Sequence, residues 1–368
     1  MSSKVPTNFW SFVCSPVSGS DAGRGSKIPG NRRSVGSPEA RSHREKRMLL
    51  LVGPVLLLLG LYFLLHMTLL KMPRCKSTAQ LEGKTAIVTG ANTGIGKATA
   101  RDLARRGARV ILACRDKGRA EAAIQEIVQE TGNNQVTFMQ LDLASLKSVR
   151  SFVEDFLRTE SRLDLLINNA GLMNGGKTEE GFGMIFGVNH LGHFLLTVLL
   201  LDRLKASRPS RVVNVASEAY KFGKVDFNCL KTHRALRLGS TDYHLFQSYC
   251  HSKLCNILFT YELAKRLQGT DVTCYSLHPG LIKTEIGRYS GLWWRLILTP
   301  FVVLFSLDPE SGAQTTLHCA LEQGIECLSG QYFSRCAPVL DIESKARDDA
   351  VAKKLWELSE SFCGLSES

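Results

Sequence analysis

Two kinds of hydrophobic pattern alternate along most of the chain. Short runs rich in Val, Ile and Leu, without strict alternation of polar and apolar residues, are typical of strands buried on both faces of a parallel sheet. Segments with helical periodicity lie between them. The runs occupy 84–91, 108–114, 135–143, 163–171, 210–217 and 272–280, and the helical segments include 95–106, 118–131 and 145–159. The pattern predicts an α/β fold, with a doubly wound parallel sheet in a single domain.

The N-terminal part of the chain follows a different pattern. Residues 48–70 form a run of 23 residues without Asp, Glu, Lys or Arg, long enough for a helix to cross a bilayer core of about 30 Å. The run ends in "KMPRCK" rather than in small residues, which favours a retained transmembrane anchor over a cleaved signal peptide. Residues 1–47, rich in Ser, Gly, Pro and Arg, are predicted to be a disordered basic leader.

The main domain is expected at 80–340, followed by a C-terminal helix and tail at 341–368. Within that tail, "ESKARDDAVAKKLWELSESFCGL" (343–365) has helical periodicity. Its apolar face is expected to pack onto the domain edge, and the residues of that face are Val351, Leu355, Leu358 and Phe362.

The charge distribution and the cysteine pattern argue against a nucleic-acid-binding protein and against a metal site. The formal net charge is +12, but residues 1–47 hold nine Lys/Arg and three Asp/Glu, so that 9 − 3 = 6 of these charges lie in the leader. The remainder forms no basic stripe with interleaved aromatic residues, and we expect no nucleic-acid partner. Eleven cysteines are scattered without a CxxC pair or zinc-ligand spacing. Reduced thiols and no metal site are therefore expected.

A glycine-rich turn, "TGANTGIG" (Thr89 to Gly96), follows the first predicted strand and opens the first helix. Glycines let the backbone turn tightly and approach a ligand, and the new helix offers free N–H groups to a pyrophosphate. A turn with a purely structural role is the alternative. Its place between strand and helix favours a dinucleotide site, as in a Rossmann-type sheet.

The tip of the second strand, "ACRD", bears on cofactor choice. Sites for NAD commonly place an acid there for the ribose 2′-hydroxyl, whereas this tip has Cys114 and Arg115 before Asp116. A guanidinium suits the 2′-phosphate of NADP. A solvated surface arginine is the alternative interpretation of Arg115.

Further polar residues stand at conspicuous positions. Asn168 and Asn169 end the strand in "LINNAG", and a buried amide that satisfies neighbouring backbone groups is the simpler interpretation of Asn168. Asn189 interrupts an apolar helix, although asparagine is a poor helix former, which indicates a specific role such as lining a water channel. In "SYCHSK", Tyr249 and Lys253 are one helical turn apart, so their side chains share a face.

Taken in order, these motifs resemble those of the short-chain dehydrogenase/reductase family over residues 80 to about 340. The ordered set is TGxxxGxG, "LDL", NNAG, Asn189, Ser217 at a strand end, YxxxK and "HPG". Segments such as "GVNHLGHFLLT" and "YCHSKLCNILFTYELAKRL" are similar to the retinol dehydrogenase branch. Ala216-Ser217 departs from the two serines common in that branch, but Ser217 matches the catalytic position.

The resemblance implies roles for individual residues. Tyr249 would be the proton donor or acceptor, and Lys253 would lower the pKa of its phenol toward working pH. Ser217 would hydrogen-bond the substrate oxygen, and Asn189 would hold a water that links Lys253 to solvent. The implied cofactor-binding residues are Gly90, Asn92, Thr93, Gly94, Ile95, Gly96, Arg115, Asp142, Leu143, Asn169, Ala170, Gly171, Tyr249, Lys253, Pro279, Gly280, Ile282 and Thr284.

The expected protein is a membrane-anchored NADP(H)-dependent oxidoreductase that interconverts an apolar alcohol and its aldehyde or ketone, as for retinol or another lipid-derived carbonyl. A catalytically quiet nucleotide-binding scaffold or sensor is the alternative. The apolar segment 291–307 is expected to cover the substrate, with Trp293 and Trp294 touching the bilayer, or to be a plain core helix. The partners expected are this substrate and the membrane, with a homodimer left open.

The sequence gives conflicting indications of topology. The Lys/Arg count places the leader in the cytoplasm and the main domain across the membrane, but a translation start at Met48 would reverse it. The main domain contains no N-x-[ST] acceptor, which argues against a luminal position. With the resemblance, this favours the endoplasmic reticulum and a cytosolic main domain. A mitochondrial membrane is the alternative, because the leader has few acids.

Overall fold

The computed structural model describes residues 38–65, 72–227, 242–280 and 307–365. The chain divides into two compact units, Met1–Leu61 and Tyr62–Ser368. Helix α1 covers Pro38–Leu65 and therefore includes residues 38–47 of the leader that was predicted to be disordered. Proline is accepted in the first turn of a helix, and extending a helix from an apolar core costs little once it has nucleated. Residues 66–70 of the predicted anchor lie outside the described residues.

Helix α1 carries exposed apolar side chains along its described length. Leu51 and Leu57 are each 74% exposed, and Phe63 is 65% exposed. Its apolar stretch Leu50–Phe63 is shorter than a bilayer span, and the one helix in the described ranges that is long and apolar enough to span is Met184–Ala206. That helix is 78% buried inside the main unit, so it is a core helix of the fold.

The central sheet has the order β3-β2-β1-β4-β5-β6-β7-β8 in the described part of the chain. The pairs from β3 to β7 are parallel, and β8 is antiparallel to β7. The strands are β1 Thr85–Thr89, β2 Arg109–Cys114, β3 Val136–Gln140, β4 Leu165–Asn168, β5 Ser210–Val215, β6 Val272–His278, β7 Tyr332–Ser334 and β8 Ala337–Pro338. The predicted Rossmann-type doubly wound sheet is confirmed. Strands β7 and β8 were not predicted, because such short strands carry too little periodicity.

Helices cover both faces of this sheet. They are α2 Gly94–Arg105, α3 Lys117–Thr131, α4 Leu146–Thr159, α5 Met184–Ala206, α6 Asp242–Arg266, α7 Pro309–Leu321 and α8 Asp349–Phe362. Side chains of α2, α3 and α7 form one buried cluster with strand residues, and those of α4, α5, α6 and α8 form the other. The strands are buried on both faces, which explains their unbroken apolar runs. Strand order reverses between β1 and β4, where such folds form their ligand crevice.

The C-terminal helix α8 lies against α5 and α6 through a face centred on Trp356. Its ring centroid lies 5.0 Å from that of Phe194, and Leu355 is also buried. Val351, predicted on the buried face, is only half-buried. Val351 and Phe362 of the predicted face still pack against the same core cluster as Leu355, and Trp356 joins them there.

Candidate functional site

The glycine-rich turn between β1 and α2 is shaped by positions that admit no side chain. Gly90 and Gly94 have φ values of +64° and +57°, in the left-handed region that favours glycine. A Cβ on Gly96 would lie 2.5 Å from both Asn169 Nδ2 and the Gly90 carbonyl oxygen. Thr93 caps α2 without a side-chain hydrogen bond, so its hydroxyl leaves the first N–H groups of this helix to another acceptor. The turn therefore offers a close, electropositive approach to an anion.

The neighbouring strand tip, at the end of β4, is tied to this turn through Thr89. The backbone N–H groups of Asn169 and Ala170 both donate to Thr89 Oγ1 at 2.9 Å, and Asn169 Nδ2 donates to the Thr89 carbonyl at 2.9 Å. Asn168 points into the core, where its Nδ2 donates to Thr197 Oγ1 at 2.9 Å and to Asn214 Oδ1 at 2.8 Å. The two adjacent asparagines thus have different roles, and Asn168 is the buried structural amide.

At the tip of β2, Cys114 is buried and Arg115 is exposed. Burial raises the pKa of the Cys114 thiol to about 11, although the backbone N–H groups of Ala91 and Asn92 that face the sulfur act to lower it. Asp116 is occupied as a cap of helix α3, because its carboxylate accepts from the Arg119 N–H at 3.0 Å. The guanidinium is therefore the side chain at this tip that extends toward solvent.

The loop after β3 reaches the same crevice. Asp142 Oδ1 accepts from the Ala144 N–H at 3.0 Å, which fixes the turn of "LDL". Leu143 lies against helix α5, since a Cβ on Gly192 would be 2.7 Å from the Leu143 carbonyl oxygen. Glycine at 192 thus permits the close approach of α5 to the sheet edge.

Asn189 lies in a π-helical turn, Gly187–Leu191, within helix α5. Its Oδ1 accepts from the Leu172 N–H at 2.9 Å, and its Nδ2 donates to the Leu172 carbonyl at 3.0 Å and to Ser252 Oγ at 3.1 Å. The side chain is fully buried. Its amide therefore holds the chain after β4 against helix α6. Single π-helical turns of this kind are frequent at functional sites.

Ser217, Tyr249 and Lys253 converge from β5 and α6. The Tyr249 hydroxyl faces Ser217, whose side chain lowers the pKa of the phenol, and Lys253 Nζ lies 5.4 Å from the Tyr249 ring centroid. Lys253 Nζ donates to the Val215 carbonyl at 2.9 Å. A Cβ on Gly171 would lie 3.4 Å from Lys253 Nζ and 3.7 Å from Asn189 Oδ1. The YxxxK pair therefore meets the NNAG turn and Asn189 at one point.

The titration of this group differs from the sequence-based expectation. Burial raises the pKa of Tyr249 to about 12, because the lowering influence of the Ser217 side chain offsets it only partly. Burial also lowers the pKa of Lys253 to about 8. Burial therefore outweighs the influences that lower the pKa of this phenol, and the role of Lys253 in lowering it stays a prediction. The ammonium donates its hydrogen bond to the Val215 carbonyl.

The "HPG" segment ends strand β6 at the same edge. His278 Nδ1 accepts from the Glu218 N–H at 3.3 Å, and burial lowers the pKa of this imidazole to about 4. Pro279 is buried, and Gly280 has a φ of +97°. The remaining predicted cofactor residues, Ile282 and Thr284, and the whole of 291–306 lie outside the described residues.

The described cysteines give no sign of metal or disulfide chemistry. All nine cysteines in the described ranges are free thiols. Within the described ranges, no group of three or more His, Cys, Asp or Glu side chains is arranged to hold a metal ion.

Comparison with known proteins shows which family this chain is similar to. The sequence model of the short chain dehydrogenase family matches residues 84–229. Dehydrogenase/reductase SDR family member 13 from Bos taurus is 52% identical over 317 residues, covering 86% of this chain and 82% of that protein. The chain belongs to the short-chain dehydrogenase/reductase family. It is an oxidoreductase of that family, related to the retinol dehydrogenases and acting on CH–OH donors.

A second similar protein and a similar solved structure support this assignment to the short-chain dehydrogenase/reductase family. Retinol dehydrogenase 11 from Mus musculus is 50% identical over 321 residues, covering 84% of this chain and 98% of that protein. The crystal structure of an uncharacterised protein from Mycobacterium paratuberculosis is 33% identical with a TM-score of 0.61, covering 80% of this chain and 96% of that chain. The predicted resemblance to the retinol dehydrogenase branch is confirmed, and dehydrogenase/reductase SDR family member 13 is among the similar proteins.

Sequence reasoning missed two residues of this site. Thr89 opens the glycine-rich motif, but its hydroxyl serves the NNAG turn, and His193 contacts both that hydroxyl and the Asn189 backbone. The available signal was the second histidine in the apolar stretch "VNHLGHF", one helical turn after Asn189. Four residues along a helix place two side chains on the same face.

Proposed function

We propose that the chain is a membrane-anchored NADP(H)-dependent oxidoreductase that interconverts an apolar alcohol and its aldehyde or ketone at a Ser-Tyr-Lys site. The observation that carries this proposal is the meeting of Ser217, Tyr249 and Lys253 beside Gly171 at the carboxyl ends of the strands. A carbonyl oxygen placed there would face both hydroxyls.

The residues of the glycine-rich turn fit a nicotinamide dinucleotide. Gly90, Asn92, Thr93, Gly94, Ile95 and Gly96 would cradle the pyrophosphate, because the turn admits no Cβ at Gly96 and the helix start carries free N–H groups. Bound there, the cofactor supplies hydride exchange with the substrate carbon.

The rest of the crevice would hold the other parts of the dinucleotide. Arg115 would pair with a 2′-phosphate at the exposed tip of β2, where Asp116 is already engaged as a helix cap. The surrounding backbone would form the walls, through Asp142, Leu143, Asn169, Ala170, Gly171, Pro279 and Gly280. Ile282 and Thr284 retain this role as a proposal from the family resemblance.

Side chains of this site would transfer the proton to and from the substrate oxygen. A phenol pKa of about 12 keeps Tyr249 protonated at neutral pH, ready to donate to an alkoxide oxygen during carbonyl reduction. Ser217 Oγ, fixed by the N–H of Ala219 at 3.2 Å, would hydrogen-bond the same oxygen. Lys253, held by Val215, would face the ribose and attract the proton-depleted phenolate left behind. Asn189 would link this lysine to solvent water.

The substrate and location follow from the relatives and from helix α1. Proteins named retinol dehydrogenase are half identical to this chain, which supports a retinol-like or other lipid-derived alcohol or carbonyl. The exposed leucines of α1 support a membrane anchor, since water-exposed apolar helices are unfavourable. We place the protein in the endoplasmic reticulum membrane with a cytosolic main domain, with a mitochondrial membrane as the alternative and a homodimer as its possible assembly.

The deciding experiment is turnover by the purified full chain in detergent. NADPH oxidation is followed with a panel of retinal, long-chain aldehydes and steroid ketones, and alcohol oxidation is followed with NADP. We expect turnover with at least one apolar carbonyl, abolished by Tyr249→Phe. Tight NADPH binding without turnover across the panel would favour a quiet nucleotide-binding scaffold or sensor.

A further inference from the structure

His193 lies at the centre of the site without being one of the residues that the family motifs point to. It sits in helix α5, one turn after Asn189, and is 3% exposed. Its Nδ1 is 3.2 Å from the Asn189 backbone carbonyl oxygen, and its Nε2 is 2.9 Å from Thr89 Oγ1. The imidazole thus bridges the π-helical turn of α5 and the end of strand β1.

The protons of this bridge can be assigned from its partners. A backbone carbonyl only accepts, so Nδ1 of His193 carries the hydrogen. In the neutral ring Nε2 is then an acceptor, and the Thr89 hydroxyl donates to it at 2.9 Å in preference to the Ile167 carbonyl oxygen, which is more distant at 3.4 Å. The two lone pairs of that hydroxyl accept the N–H groups of Asn169 and Ala170, each at 2.9 Å. With this assignment, the hydroxyl uses its one donor and both acceptors.

The surroundings keep the imidazole neutral. Burial, helped by the nearby ammonium of Lys253, lowers the pKa of His193 to about 3. A protonated ring would present a second donor to Thr89 and remove the acceptor that fixes its hydroxyl hydrogen. One tautomer is therefore fixed across the working pH range.

We propose that His193 is a positioning residue that couples the two halves of the site. Through Thr89 it orients the NNAG turn that would wall the cofactor. Through the Asn189 carbonyl it holds the π-helical turn of α5. The side chain of Asn189 in this turn binds Leu172 and Ser252 beside Lys253. The proposal deepens the proposed oxidoreductase function. Its catalytic half, the contact with Asn189, rests on that function. Its cofactor half, the contact with Thr89, rests on the geometry of the glycine-rich turn.

A purely structural histidine is available in the same helix for comparison. His190 is 1% exposed, and its Nε2 lies 3.0 Å from Ser359 Oγ of helix α8. Burial lowers its pKa to about 4, as for His193. It therefore matches His193 in burial and helix, but its hydrogen-bond partner belongs to the C-terminal helix instead of the site.

Two substitutions separate the two contacts of His193. The amide of His193→Asn falls near the Nδ1 position and can still donate to the Asn189 carbonyl, but it does not reach Thr89. The amide of His193→Gln reaches the Nε2 position and can accept from Thr89, but it leaves the Asn189 carbonyl. Loss of one buried hydrogen bond corresponds to about a tenfold effect.

The test measures NADPH affinity by fluorescence titration, kcat with the best carbonyl substrate, and the thermal midpoint of the full chain in detergent. We expect His193→Asn to weaken NADPH binding about tenfold with kcat within about threefold of the parent, and His193→Gln to show the reverse. Thr89→Val should weaken NADPH binding, and combining it with His193→Asn should add little, because both remove one contact. His190→Asn should lower only the thermal midpoint.

Proportional losses of affinity, kcat and thermal midpoint in both His193 variants, matching those of His190→Asn, would overturn the proposal. Additive effects of Thr89→Val and His193→Asn on NADPH affinity would also overturn it. The titration needs no turnover, so a parent that binds NADPH but reduces no carbonyl would refute the proposed function, and the titrations of His193→Asn and Thr89→Val would still decide the cofactor half of this proposal.

Discussion

The ammonium of Lys253 donates a hydrogen bond to the carbonyl oxygen of Val215 at 2.9 Å. Val215 is the last residue of strand β5, two positions before Ser217. The contact pins helix α6 to that strand end and so fixes the distance between Ser217 and Tyr249. Lys253 is therefore a structural clamp of the site in addition to its proposed part in proton transfer.

Removal of the Tyr249 hydroxyl should abolish catalysis without disturbing the cofactor. In Tyr249→Phe the ring stays and only the hydroxyl that would transfer the proton is lost, so we expect kcat to fall by about 10²–10⁴-fold with unchanged NADPH affinity. Tyr243→Phe, at a tyrosine of the same helix that is 65% exposed, is the matched control and should behave as the parent. Equal turnover of Tyr249→Phe and the parent would refute the mechanism.

Burial of Lys253 should be visible in the pH dependence of stability. Its pKa falls from 10.5 to about 8 on folding, so between these values the unfolded chain binds more protons and stability rises with pH. Relative to Lys253→Met, the free energy of unfolding of the parent should rise by up to about 3 kcal/mol from pH 8 to 10.5 and stay level below pH 8. The titration of Tyr249 contributes to the unfolding free energy of both proteins, so its contribution cancels in the difference.

Urea unfolding of both proteins at pH 7, 8, 9 and 10 measures this difference. A difference in unfolding free energy that stays constant across the series would mean that Lys253 keeps an ordinary pKa in the folded protein.

The closest backbone approach in the site predicts the effect of a single methyl group. Gly96→Ala would place a Cβ 2.5 Å from Asn169 Nδ2 and from the Gly90 carbonyl, and both must shift. We expect NADPH affinity to fall at least tenfold and the protein to lose roughly 1–3 kcal/mol of stability. Gly118→Ala, in helix α3 with its nearest contact at 3.7 Å, should keep or raise stability. Unchanged titration curves for Gly96→Ala would count against the cradle.

Arg115 should set the preference for NADPH over NADH. A charge-assisted contact of this kind contributes roughly 1.5–3 kcal/mol, so Arg115→Ala should weaken NADPH binding tenfold or more and leave NADH binding nearly unchanged. Arg158→Ala, at an exposed arginine of helix α4, is the control. Fluorescence titration at fixed salt measures both affinities. A parent that binds the two cofactors equally well would contradict the assignment.

Cys114→Asp should begin to invert this preference. The new carboxylate would accept from the N–H groups of Ala91 and Asn92 that now face the Cys114 sulfur, at the place where a ribose 2′-hydroxyl would donate. Its NADH-to-NADPH affinity ratio should therefore rise above that of the parent in the same titration. A ratio that falls or stays the same would contradict this geometry.

The topology is tested by protease digestion of sealed microsomes that contain the full chain. We expect the main domain to be digested without detergent, because it would face the cytosol. Protection of the main domain until detergent is added would place it in the lumen, as the raw Lys/Arg count of the leader indicates.

The sequence by itself determined the elements of the sheet from β1 to β6 and the order of the functional motifs. Both are local properties, because strand burial and helical periodicity appear within a few residues, and the glycine-rich turn requires its glycines wherever the chain goes next. Hence the doubly wound sheet and the family could be predicted.

Only the tertiary structure decided how these motifs meet. The Thr89–His193 contact joins residues 104 positions apart, and Lys253 reaches Val215 across 38 positions. No local pattern distinguishes Asn168, turned into the core, from Asn169, turned to the glycine-rich turn. Nor does the YxxxK spacing show that burial would raise the pKa of Tyr249. Burial and hydrogen bonding are sums over all packed elements, and they exist only once the chain has folded.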